Sequence, residues 1–217
     1  MLAGKKGLIV GIANKMSIAW GCARIFNREG AELAITYQNA KAEKYVRPLA
    51  EELHAPIICP LDVCDEQQMD ILFAQIEKQW GKLDFVLHSI AFAPADDLHG
   101  RVTDCSRDGF LMAMDISCHS FQRLAKRAEP LMTDGGALLT VTYMGSERVI
   151  DHYGVMGPVK AALESTTRYM AAELGPKNIR CHAISPGPLL TRAASGIAEF
   201  ETLMDQATRR APGRRLV

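Results

Sequence analysis

The chain has no excess of charge of either sign: 25 basic residues face 25 acidic ones over 217 residues. That balance gives no overall field toward nucleic acid or a membrane surface, and neither is expected as a partner. No apolar run approaches a membrane span, and Met1-Leu2-Ala3-Gly4-Lys5-Lys6-Gly7 lacks the apolar region of a signal peptide. A soluble, cytoplasmic protein is expected. Six cysteines, Cys22, Cys59, Cys64, Cys105, Cys118 and Cys181, form no C-x-x-C pair and no metal-ligand rhythm. Most sit in apolar sequence surroundings, which predicts buried structural thiols in a reducing compartment and no metal site. Internal repeats and low-complexity segments are also missing. What remains is a single domain, residues 1–217, long enough to bury roughly 70–75% of its unfolded surface without disulfides or metals.

Gly7 to Ile12 is a short apolar run of the kind found in strands buried on both faces of a parallel sheet. The turn Gly11-Ile12-Ala13-Asn14-Lys15-Met16-Ser17-Ile18-Ala19 follows, with Ser17 placed to cap a helix running to about Arg28. Free N–H groups at such a helix start suit an anion such as pyrophosphate. Ala13 and Ser17 stand where the G-x-G-x-x-G fingerprint has glycines, so by itself this is equally any tight βα turn. Further strands are expected at Gly30 to Tyr37, Pro56 to Leu61, Leu83 to Ile90, Ala137 to Thr142 and Ile179 to Ser185. Between them the pattern predicts helices over Lys41 to Leu53, Asp65 to Trp80, Arg107 to Met132 and Tyr153 to Leu174, with a polar loop from Asp96 to Ser106. This unbroken alternation predicts an α/β fold, a doubly wound parallel sheet of the Rossmann type, with ligands at the carboxyl ends of the strands. Gln38, at the end of the second strand, offers a hydrogen bond to a ribose 2′-hydroxyl and no charge for a 2′-phosphate.

Tyr143, Tyr153 and Lys160 form the candidate chemistry. Lys160 follows Tyr153 by seven residues, and at about 100° per residue seven helical steps return a side chain to nearly the same face. Gly157 between them leaves space, and Pro158 places the helix start near Val155, with Tyr153 at its entrance. A phenol beside an ammonium suits proton donation to a developing oxyanion, and the cation is expected to lower the tyrosine pKa toward neutrality. A tyrosine and a lysine at this spacing also occur in helices that catalyse nothing, so the rest of the chain must decide.

Six motifs in fixed order decide it: Gly11-Ile12-Ala13-Asn14 with Ser17-Ile18-Ala19-Trp20-Gly21, Thr36-Tyr37-Gln38, Asp62-Val63, His88 to Pro94, Tyr143 with Tyr153 and Lys160, and Ser185-Pro186-Gly187-Pro188 with Thr191 to Ile197. In these the chain resembles the NADH-dependent enoyl-acyl-carrier-protein reductases, a divergent branch of the short-chain dehydrogenase/reductases. The resemblance implies that NADH is the cofactor, that acyl carrier protein presents the enoyl substrate, and that the protein is a homotetramer. It assigns Gly11, Ser17 and Ile18 to pyrophosphate, Gln38 to the adenosine ribose, Asp62 and Val63 to adenine, and Ile90 to the nicotinamide side. Leu189, Leu190, Thr191, Arg192 and Ala193 would flank the carboxamide, and Lys160 the nicotinamide ribose. Ala93, Tyr143 and Tyr153 would meet the acyl substrate. It also implies a further helix, a seventh strand and a C-terminal segment, which these residues do not contain. Ketone-reducing relatives space tyrosine and lysine by four and carry a helical asparagine where this chain has Met114-Asp115-Ile116-Ser117, which speaks against carbonyl reduction. A carbonyl-reducing enzyme and a catalytically weak NADH-binding paralogue are the competing readings. Residues 187–211, poor in apolar area around Ala193 to Gly196 but with Phe200, Leu203 and Met204 at helical spacing, are expected to form a mobile flap over the substrate.

Overall fold

Strand and helix alternate as the periodicity predicts. The computed structural model describes residues 1–187, 189–191 and 200–215, with backbone alone at 200, 201, 203 and 206. Strands β1 (Lys6–Val10), β2 (Glu32–Tyr37), β3 (Ile57–Pro60), β4 (Phe85–His88), β5 (Gly136–Val141) and β6 (Ile179–Ile184) form one six-stranded sheet in the order β3-β2-β1-β4-β5-β6. Every neighbouring pair is parallel. The helices are α1 (Ile18–Arg28), α2 (Ala40–Glu52), α3 (Glu66–Trp80), α4 (Ala95–His99), α5 (Arg107–Met114), α6 (Ser120–Ala128), α7 (Met156–Leu174) and α8 (Phe200–Arg210). Side chains alternate across each strand. Leu8 and Val10 therefore enter the core with Leu72, Phe121 and Leu163, while Ile9 enters the other with Trp20 and Leu49. The sheet is covered on both faces, α3, α6 and α7 on one side and α1 and α2 on the other.

Three expectations need correction. The segment from Asp96 to Ser106 is not a plain loop: it holds α4 and a 3-10 turn at Val102–Asp104. Buried Asp97 organises it by accepting from the Ser106 amide at 2.6 Å and the Ser106 hydroxyl at 3.1 Å. The long helix expected over Arg107 to Met132 is interrupted by a π turn at Asp115–His119 and ends in a 3-10 turn at Glu129–Leu131. Hydroxyls explain the interruption. Ser120 donates back to the Ile116 carbonyl at 2.6 Å, and Ser117 exchanges two hydrogen bonds with the Phe92 backbone, so the helix widens to satisfy both. The thiols are less uniformly buried than expected: Cys59, Cys118 and Cys181 are buried, Cys22 and Cys105 half-buried, and Cys64 is exposed. Among the described residues, no helix is long and apolar enough to cross a membrane.

At the end of β4 the fully buried His88 joins strand to helix. Its Nδ1 lies 2.8 Å from the Thr140 hydroxyl and its Nε2 2.8 Å from the Ser120 hydroxyl. Because Ser120 gives its proton to the Ile116 carbonyl, its oxygen accepts from Nε2–H, and Nδ1 accepts from Thr140. The ring is thus satisfied while neutral. Burial first, and the Lys160 charge second, push its pKa down from 6.5 to about 3. The unfolded chain takes up a proton at this residue near pH 6.5 that the folded chain refuses until about pH 3, so the unfolded state binds more protons in that window. Stability from this group is full above the window and falls on acidification through it, by up to about 1.4 kcal/mol per pH unit. Urea unfolding across the acid range is expected to show a shallower fall in His88→Gln than in the wild type; equal slopes would contradict the buried neutral ring.

Candidate active site

The sheet changes its direction of growth at β1, which has β2 on one side and β4 on the other. The loops leaving β1 and β4 must diverge there, opening a crevice at their carboxyl ends. Val10 and His88 pair at the last rung, and immediately beyond it Gly11 takes φ +115°. A Cβ at Gly11 would stand 2.1 Å from the Ser89 carbonyl oxygen, so only glycine lets the two loops pass. Ser17 occupies the N-cap position of α1, as expected, but its hydroxyl does not cap the helix. It accepts instead from the Ala13 and Asn14 amides at 3.0 and 3.1 Å, folding the turn back on itself. The N-terminus of α1 opens at the crevice mouth, where Ser17 and Ile18 lie, and the Trp20 amide donates to the Ser17 carbonyl at 3.0 Å.

A cavity of about 150 Å³ lies there. Gly11, Ser17, Ile18, Ile90, Lys160 and Thr191 line it, so the fold gathers six of the residues singled out in the sequence, from four separate segments. Gln38 lies exposed just beyond β2; Asp62 and Val63 lie beyond β3, the Asp62 carboxylate accepting from the Cys64 amide at 3.0 Å. These three share the carboxyl edge of the sheet with the cavity without lining it. Leu189 is half-buried and Leu190 exposed after β6, also outside the cavity lining. Arg192 and Ala193 lie outside the described residues, as do residues 188 and 194–199 of the expected flap, whose helical part is α8. A larger concavity, about 890 Å³ between α3 and α6, is walled by the ion pairs of Arg123 and Arg127 with Glu66 and Asp70. It lies away from the strand ends, where a sheet of this kind binds ligands.

Lys160 and the tyrosines occupy adjoining ground. α7 begins at Met156 with Pro158 in its first turn, so Tyr153 precedes the helix as predicted. The Lys160 side chain is 5% exposed, and Nζ donates to the Val141 carbonyl at the end of β5 over 2.7 Å. Burial, the largest influence, lowers its pKa to about 8, and the Glu164 carboxylate acts in the opposite direction. Tyr153 is buried in an apolar cluster with Val155, Met156 and Val159, against which Ala93 and Tyr143 pack. The two tyrosine rings meet edge to face, centroids 5.1 Å apart at 63°. The expected lowering of the Tyr153 pKa is not found. Burial, and then Tyr143, raise it, because the phenol is desolvated and the Lys160 ammonium is turned to a carbonyl. Tyr153 is a protonated hydrogen-bond donor.

Two further residues escaped the sequence reading. A Cβ at Gly145 would come within 2.5 Å of the Tyr153 ring, so this glycine sets how closely the Tyr143 turn approaches that ring. Glu164 accepts from the Thr142 and Ser146 hydroxyls, each at 2.6 Å. The glycine two residues after Tyr143 was a legible signal; nothing local marks Glu164.

A family model described as enoyl-(acyl carrier protein) reductase matches residues 11–217. The chain belongs to that family. It is 48% identical over 217 residues to enoyl-[acyl-carrier-protein] reductase [NADH] 1 of Rhizobium meliloti (strain 1021), covering 100% of this chain and 80% of that protein. The structure is similar to that of enoyl-[acyl-carrier-protein] reductase (NADH) from Aquifex aeolicus VF5, with TM-score 0.95, 44% identity, and coverage of 100% of this chain and 85% of the other. It is also similar to the enoyl-(acyl-carrier-protein) reductase of Anaplasma phagocytophilum solved in complex with NAD, with TM-score 0.94, 46% identity, and coverage of 99% and 82%. Within this reductase fold the Gly145 approach is directly testable. Gly145→Ala is expected to cost about 1–3 kcal/mol in urea unfolding by driving a methyl into the ring. Gly21→Ala, in the middle of α1 with open space around it, is expected to stabilise by about 0.5–1 kcal/mol. Equal behaviour of the two variants would contradict the close approach.

Proposed function

We propose that this chain is a cytoplasmic, NADH-dependent enoyl-acyl-carrier-protein reductase of fatty-acid biosynthesis, reducing the trans-2 double bond of enoyl thioesters presented by acyl carrier protein. The observation that carries this reading is the convergence of Gly11, Ser17, Ile18, Ile90 and Lys160 on one cavity at the switch point of a sheet whose family is established. A homotetramer belongs to the same reading, with the family resemblance as its support.

The residues present fit a dinucleotide. The Gly11 turn has no room for a Cβ and brings the N-terminus of α1 to the crevice, which suits pyrophosphate. Gln38 is exposed at the position that meets the adenosine ribose, and Asp62 and Val63 follow β3 on the adenine side. The resemblance assigns Ile90, Leu189, Leu190, Thr191, Arg192 and Ala193 to the nicotinamide end, and of these Ile90 and Thr191 line the cavity. When bound, NADH supplies the hydride that the β-carbon of the enoyl thioester accepts.

The protein's own groups manage the charge this creates. Hydride addition at the β-carbon pushes negative charge onto the thioester oxygen, and the protonated Tyr153 hydroxyl is the donor for it. Lys160 would hold the nicotinamide ribose and add positive potential from a desolvated position, where a charge acts more strongly than in water. Tyr143, edge-on to Tyr153, and Ala93 form the apolar wall beside the acyl chain, which keeps water from the developing enolate.

Consumption of NADH with a trans-2-enoyl thioester, beside a β-ketoacyl thioester, tests the reaction class: activity on the ketone alone would overturn it. Tyr153→Phe is expected to lower kcat by on the order of 100-fold or more with NADH affinity nearly unchanged, since the hydroxyl matters where charge develops. Lys160→Ala is expected to weaken both. Wild-type turnover in Tyr153→Phe would remove the donor role, and unchanged NADH affinity in Lys160→Ala would remove the ribose role. Because Gln38 is neutral, kcat/KM is expected to be higher with NADH than with NADPH, and the reverse order would refute its assignment.

A further inference from the structure

We propose that Glu164 is a positioning residue of this active centre: it clamps the segment carrying Tyr143 onto the helix carrying Lys160, and supplies the carboxylate that faces the Lys160 ammonium. The inference rests on the enoyl reductase reading and extends it to a residue that touches neither cofactor nor substrate.

Lys160 and Glu164 are one turn apart on α7 and so project from the same side of the helix. Both grip the end of β5. Lys160 Nζ donates to the Val141 carbonyl at 2.7 Å, while one Glu164 oxygen, Oε1, accepts from the Thr142 hydroxyl and the Ser146 hydroxyl, each at 2.6 Å. The three contacts fall on residues 141, 142 and 146 and bracket Tyr143, Met144 and Gly145. Gly145 in turn lies so close to the Tyr153 ring that a Cβ would approach it to 2.5 Å. A shift of this turn therefore displaces both tyrosine rings relative to Lys160. Two hydroxyls on a carboxylate make short, charge-assisted bonds, stiffer than the same bonds to a neutral acceptor.

The charge has a separate consequence. Among the described residues, the titratable groups that act electrostatically with Lys160 are Glu164, one turn away on its own helix, Cys118 on the π turn, and His88 on β4. His88 is held neutral by burial, and burial raises the Cys118 thiol, which stays protonated where Lys160 titrates. Glu164 is left as the anionic partner of a lysine whose pKa burial has brought down to about 8. Removing its charge destabilises the ammonium, so the proton leaves at lower pH.

Two substitutions separate clamp from charge. Glu164→Gln keeps an oxygen to accept both hydroxyls and loses the charge; Glu164→Ala loses both. Titration of ligand-free, ¹³C-lysine-labelled protein by NMR, with the Lys160 signal assigned by its loss in Lys160→Arg, is expected to move to lower pH by about half a unit or more in Glu164→Gln. The alkaline limb of kcat/KM should move with it, while kcat on the acid side stays within about threefold of wild type. Glu164→Ala is expected to lose about tenfold or more in kcat at every pH, with a smaller change in NADH affinity. An unmoved Lys160 titration in Glu164→Gln would overturn the electrostatic half, and wild-type kcat in Glu164→Ala the clamp. Should Glu164→Ala fail to fold, Thr142→Val with Ser146→Ala removes the two donors instead, and wild-type kcat there overturns the clamp equally. If the wild type consumes no NADH with any enoyl thioester, the functional reading falls, and the ligand-free titration still decides the coupling of Glu164 to Lys160.

Discussion

A buried ammonium governs the arrangement of this site. Taking a lysine out of water costs several kcal/mol unless its charge is met by polar partners, and Lys160 is 5% exposed. Its bond to the Val141 carbonyl uses a strand-end oxygen at the wall of the crevice, and thereby fixes α7 against β5 beside the cavity. The surrounding chemistry follows from that choice. His88 has to be neutral and fully satisfied, since a second cation so near would be unfavourable, and Thr140 and Ser120 supply its two hydrogen bonds. Burial leaves the ammonium only moderately stable in its charged form, which gives the nearby Glu164 carboxylate an importance that an exposed carboxylate would lack.

The π turn at Asp115–His119 links this electrostatic centre to the loop that follows β4. Ser120 ties it to His88, and Ser117 ties it to the Phe92 backbone, between Ile90 in the cavity and Ala93 in the tyrosine cluster. The cost is a break in helical geometry. The return is that one short stretch of helix fixes the end of β4 and the loop beyond it, so Ile90 in the cavity and Ala93 beside the tyrosines share a rigid support.

The pairing of a raised tyrosine with a lowered lysine also shapes the chemistry. Both shifts come chiefly from desolvation, which disfavours whichever form is charged. The phenol is thereby kept as a donor, and in the proposed mechanism the same dry surroundings would strengthen its hydrogen bond to an oxygen that gains charge only during reaction. In that mechanism, proton donation would depend on the phenol staying intact until the substrate oxygen becomes basic, rather than on a tyrosinate prepared in advance.

Much of this was legible in the sequence. Buried parallel strands are continuously apolar because both faces are covered, so Gly7 to Ile12 and Leu83 to Ile90 declared themselves, and the unbroken alternation with amphipathic helices settled the doubly wound sheet. The strand ends carried Gly11, Gln38, Asp62, Ile90 and Tyr143 in an order that resembled one reductase family, which the family match then established. Tertiary structure alone decided the rest. Whether Lys160 would sit near enough to Tyr153 to lower its pKa depended on where Nζ found an acceptor, and that acceptor, the Val141 carbonyl, comes from a strand 19 residues earlier in the chain. The break in the helix after Met114 depended on hydroxyls meeting His88 and Phe92 across the fold, and the role of Glu164 on two hydroxyls 22 and 18 residues away. Periodicity records which face of an element is apolar; it carries no information on which buried polar groups from distant segments will satisfy one another, because that is fixed only when the elements pack.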